Sequence, residues 1–89
     1  MEGLKNLPTG VQLNALSASV FEVLEQHTAF PWPVLAAQCK RYGRDPENLS
    51  PADLDELIVH LANGVARFTS PEKGETVQRD LAAVLRQHR

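Results

Sequence analysis

Three histidines, one cysteine and eleven carboxylates are the side chains of this 89-residue sequence best suited to hold a metal ion or move a proton. Their spacing matters more than their number. None of His27, His60 and His88 stands four residues from another or beside Cys39, so the ligand spacings of zinc sites are missing. His60 follows Glu56 by four residues on a polar helix face, which reads as an exposed pair. His27 falls on an apolar stripe and reads as a partly buried histidine. Cys39 shares a helical side with Trp32, Leu35 and Tyr42, where a lone cysteine acts as a small hydrophobe. A catalytic thiol would need an activating base, and the sequence places none beside it. No Ser/His/Asp or Cys/His grouping has the local context of nucleophilic catalysis. Asp53 and Asp55 point to different helix faces, and no Gly-rich phosphate loop occurs. The expectation is a non-catalytic chain without cofactor or metal.

Two motifs deserve a test by position. Asp45 to Glu56 has the twelve-residue length of an EF-hand loop and begins and ends on carboxylates. Its fifth position is Leu49, its seventh is Pro51, and Ser50 stands where the central glycine is required. The acids belong instead to a helix start, where the dipole favours them. The second motif is Lys40, Arg41 and Arg44 around Tyr42, the one basic cluster. It could contact phosphates, with the aromatic ring stacking on a base. Its plain structural reading is complementation of a helix C-terminus. A helix-turn-helix drawn here would open its recognition helix with Asp53, Asp55 and Glu56, carboxylates where DNA phosphates are expected. Nucleic-acid binding through Lys40, Arg41 and Arg44 is therefore the alternative reading, not the leading one.

Four helical segments must position these groups, and prolines punctuate them. The first spans about 10–28, with Leu13, Leu16, Val20, Val23, Leu24 and His27 on one arc. Thr9 and Gln12 offer a capping box for it. Ser19 with Glu22 offers a second start, which leaves a break near Ser17 open. Phe30-Pro31-Trp32-Pro33 ends this helix and launches the second, about 33–42. Gly43 then occupies the left-handed C-cap position. The third, 51–68, has Ser50 as N-cap, a first-turn proline and Asp53 at the third position. Leu54, Leu57, Ile58, Leu61, Val65 and Phe68 make its main stripe. Val59, Ala62 and Ala66 make a smaller one, so this helix wants neighbours on two sides and is expected at the centre. The fourth, about 71–87, repeats the Ser-Pro opening and carries Val77, Leu81, Val84 and Leu85 as its stripe.

This reads as an all-α, compact four-helix domain occupying 1–89, with 1–8 a flexible N-terminal segment. Its 43% hydrophobic and 22% charged residues are those of an ordinary globular chain. No apolar run approaches the roughly 18 residues of a membrane span. The first eight residues lack the apolar core of a secretory signal. One cysteine excludes an internal disulfide and makes a cytoplasmic setting the expectation. A net charge of −2 gives no overall attraction to nucleic acid.

Size, acidity and helices invite comparison with acyl carrier proteins, but no Asp-Ser-Leu occurs and Ser50 lies between Leu49 and Pro51. Two stretches carry another likeness. Leu49-Ser50-Pro51-Ala52-Asp53-Leu54 with Leu57 and Leu61, and then Phe68-Thr69-Ser70-Pro71-Glu72-Lys73, resemble small helical domains appended to bacterial signalling proteins. Serine/threonine kinases and histidine kinases carry such segments. The resemblance implies a regulatory or interaction role without catalysis. It agrees with the surface reading, in which Phe30, Trp32, Val59, Ala62 and Ala66 form a groove for a partner helix or a homodimer face; in the other reading all five cover the core, which suits Trp32 best. The partner is expected to be a protein, with no membrane involved.

Overall fold

The computed structural model describes residues 7–88, and within them the helices are α1 (Ala15–His27), α2 (Pro31–Arg41), α3 (Pro51–Phe68) and α4 (Pro71–His88). The all-α, four-helix expectation holds. Residues 1–6 of the expected N-terminal segment lie outside the described residues.

Local chemistry sets three of the four starts. Ser50 and Asp53 exchange hydrogen bonds: Asp53 N–H donates to Ser50 Oγ at 3.1 Å, and Ser50 N–H donates to Asp53 Oδ2 at 3.0 Å. Two of the orphan donors at the start of α3 are thereby satisfied. Ser70 Oγ accepts from Lys73 N–H at the start of α4. The second helix begins at Pro31, two residues earlier than the spacing predicts. Pro31 and Pro33 both sit in its first turn, where a missing N–H costs no helical hydrogen bond. Its other end closes as expected at Gly43, whose φ is +70°. Gly43 N–H donates to Lys40 O, and Arg44 N–H donates to Cys39 O at 2.7 Å. Those two bonds make a Schellman motif, and the positive φ is why glycine stands there.

The first helix corrects the sequence reading. It starts at Ala15, five residues later than expected, and the Thr9/Gln12 box is not its cap. Asn14 caps it, accepting from Ser17 N–H at 2.8 Å. The preceding segment is held away from helix by the α2–α3 loop. Gln12 N–H donates to Glu47 Oε1, Asn14 N–H donates to Glu47 O, and the Asn14 amide donates to Leu49 O. The helix then runs unbroken through Ser17. That serine is buried because its Oγ accepts the buried N–H of Leu49 at 2.9 Å.

Packing follows from the stripes. The third helix touches all three others, most extensively α4, and so takes the central place its two apolar sides require. Leu24, Leu35, Leu54, Leu57, Leu61 and Leu81 are fully buried. Phe21 is fully buried as well, although the periodicity left it off the α1 stripe. Phe68 goes the other way: the stripe assigned it to the core, and it is 65% exposed.

Candidate functional site

The five residues read as one partner groove do not form one surface. Ala62 is buried, and Ala66 is half-buried against α4. A Cβ placed on Gly74 would stand 2.9 Å from Ala66 Cβ and 3.0 Å from Ala62 O. The small-residue strip is thus the close-packing seam of α3 on α4, and no partner can reach Ala62. Trp32 is half-buried and packs against the core. Val59 is exposed but lies nine residues before Phe68, about half a turn around the helix from it.

Phe30 remains, and the structure gives it a companion the sequence did not. Phe30 and Phe68 are 54% and 65% exposed, with ring centroids 6.0 Å apart at 51°. This is a tilted aromatic pair within the favourable range. The pair exists because α2 and α3 run antiparallel, which brings the start of one to the end of the other. Phe30 is fixed at the N-cap position of α2, its N–H donating to Thr28 Oγ1 at 3.1 Å. The two rings border an open depression of about 480 Å³ that Glu25, His27 and Thr69 also line. Asp80 lies 3.1 Å from His27 Nε2, while His27 Nδ1 is buried without a hydrogen-bond partner among the described residues. His27 is the partly buried histidine expected.

The basic cluster divides. Arg44 turns back onto the start of α3, with Nε 3.2 Å from Asp53 Oδ1 and a guanidinium N–H donating to Glu56 Oε2 at 2.6 Å. Its charge is paired with the acids that follow it, which draws Arg44 away from Lys40 and Arg41. Glu56 is consequently not the partner of His60. The His60 ring stacks on Tyr42 at 4.1 Å between centroids, 21° from parallel. Arg41 lies over the Tyr42 ring at 5.9 Å. Lys40 is exposed. Between α2 and α3 these groups border a small cleft of about 150 Å³, reached also by Gln38, Asn63 and Arg67. His60, Asn63 and Arg67 share the polar face of α3, and that shared face was the signal available in the sequence.

Cys39 is fully buried on α2. Burial, reinforced by the negative charges of Asp53 and Asp45, pushes its thiol up to about 11. A thiol so placed stays protonated at neutral pH and is a poor nucleophile. Among the described residues, no three of His, Cys, Asp and Glu converge as a metal site. Nor is any described helix long and apolar enough to cross a membrane.

No family model, curated protein or solved structure matches this chain.

Proposed function

We propose that this chain is a non-catalytic helical module that binds another protein through the Phe30–Phe68 corner. One observation carries the reading. A chain of 89 residues needs nearly all of its large apolar side chains for its own core, since a domain of this size buries only about 60–65% of its unfolded surface. Two of its three phenylalanines are nevertheless more than half exposed and meet each other as a tilted pair. Exposed aromatics of this kind anchor interfaces, because a partner gains apolar burial at little entropic cost.

The occupant we favour is an apolar segment of a different protein, in a regulatory setting such as the signalling one that the resemblance implies. A second copy of the chain is the competing occupant. Affinity capture from the native cell, comparing the parent with a variant carrying Phe30→Ser and Phe68→Ser, tests it. A specific protein retained by the parent and lost by the folded variant supports the reading. Light scattering separates the competitor: a dimer dissociated by the same changes would replace the foreign partner with a second copy. Equal recovery on parent and variant would remove the corner as the interface.

A further inference from the structure

The α2–α3 cleft lies apart from the aromatic corner, and its lining has one chemical character. Its side chains are Gln38, Arg41, Tyr42, His60, Asn63 and Arg67, all able to donate hydrogen bonds, with Gly64 between them. Among the described residues, no carboxylate lines it. The two guanidiniums come from different helices onto one concavity, and neither forms an ion pair with a described residue. The nearest acid on the same face of α3, Glu56, is taken by Arg44.

Two features give the cleft a fixed shape. The Tyr42–His60 stack makes one wall, and Gly64 keeps the helices close while leaving space. A Cβ on Gly64 would meet Val34 Cγ1 at 3.1 Å and Gln38 Nε2 at 3.5 Å. The volume decides the size of the ligand. At about 150 Å³ it is half the lower bound of the roughly 300–1,000 Å³ typical of small-molecule pockets. That admits one tetrahedral oxyanion and leaves any group attached to it outside the cleft. Arginines in pairs suit such a group, because each guanidinium can offer two parallel N–H donors to two of its oxygens.

We propose that this cleft binds a single phosphate group, free or as the head of a small monoester, held by Arg41 and Arg67 with His60, Asn63 and Gln38 completing its hydrogen bonds. The competing account is helix-dipole complementation, since both arginines stand in the last turns of their helices. That account predicts a small stability change on neutralisation and no phosphate affinity, so the two separate in one experiment.

The test is an NMR titration of the full chain with inorganic phosphate and with glycerol phosphate, against chloride at matched ionic strength. Saturable shifts at the His60 ring, the Asn63 and Gln38 amides and the arginine Nε–H groups are expected, with millimolar or tighter binding. Arg41→Gln and Arg67→Gln should each weaken binding by roughly tenfold or more, the loss of one charge-assisted contact. Lys40→Gln, at an exposed position that does not line the cleft, should leave it within about twofold, since surface charges are screened. Arg67→Lys, which keeps the charge and loses the fork, should fall between. Tighter binding of glycerol phosphate names the monoester as the source, and equal or tighter inorganic phosphate names the free ion. An absence of saturable shifts, or equal losses in K40Q and R67Q, would overturn the proposal.

Discussion

At the scale of single residues, burial decides which side chains keep their chemistry. Cys39 carries a reactive atom, yet burial and two nearby aspartates hold it protonated, with its pKa pushed up to about 11. The native chain should therefore react with a thiol reagent only as fast as it opens, and urea should accelerate labelling to the rate of a free thiol. Rapid labelling of the folded chain would show that α2 does not bury it. Ser17 shows the converse, a polar side chain whose burial is justified by one bond. Ser17→Ala leaves the buried Leu49 N–H without an acceptor, and stability in a urea titration should fall by about 1–3 kcal/mol. Arg44→Ala breaks two pairs at a partly solvated position and should move the urea midpoint far less than Ser17→Ala does. Asp45 adds a pH dependence to the same loop. The Asn48 amide and then the Glu47 N–H hold its carboxyl below the ordinary aspartate range. A group whose folded pKa is depressed stabilises the fold above its unfolded value and loses that contribution as the pH falls through the folded one. Stability should therefore decline below about pH 4, and Asp45→Asn should flatten part of that decline.

At the scale of elements, what the sequence revealed was what neighbours in the chain decide. The Ser50/Asp53 box and the Gly43 C-cap are local chemistry, and both are where the spacing placed them. The start of α1 is a different problem. Thr9 and Gln12 have the right types for a cap, but the segment they belong to is tied to Glu47 and Leu49, some 35 residues away. No window along the sequence contains that competition. The same holds for Ala62 and Ala66, whose small size is equally suited to a foreign helix and to α4. Gly74 resolves it, and the resolution is testable. Gly74→Ala gains about 1 kcal/mol of helix propensity, but its Cβ would press on Ala66 Cβ and on the Ala62 carbonyl, which is backbone and cannot rotate away. Overpacking should dominate, with a net loss of about 1–2 kcal/mol in chemical denaturation. At Gly64 the nearest atom is Val34 Cγ1 at 3.1 Å, which must yield by a few tenths of an ångström, and the next is the flexible end of Gln38. Gly64→Ala should stay within about 1 kcal/mol of the parent. If the two alanines behaved alike, the α3–α4 seam would not be the tighter one.

At the scale of the whole molecule, the α2–α3 antiparallel pairing determines what the surface offers. It sets Phe30 beside Phe68 at one end and gathers Arg41, His60 and Arg67 along the seam, groups that no sequence spacing links across the two helices. The cleft was legible only as half of itself, the polar face of α3, because its other half belongs to α2. The aromatic corner was legible only as Phe30, because the stripe of α3 continued through Phe68 without showing where the core ends. Both rings give up little when removed from the fold, since each already keeps more than half of its surface in water. The double variant Phe30→Ser, Phe68→Ser should therefore unfold at a urea concentration close to the parent's, losing about 1–2 kcal/mol in total. If instead the pair secures the fold, closing the end of the α2–α3 seam, the double change should cost clearly more than that and should loosen the phosphate cleft as well. A loss of partner capture with stability and phosphate shifts intact would place the function of these rings on the outside of the molecule, because a defect that loosened the α2–α3 packing would lower stability and disturb the cleft as well.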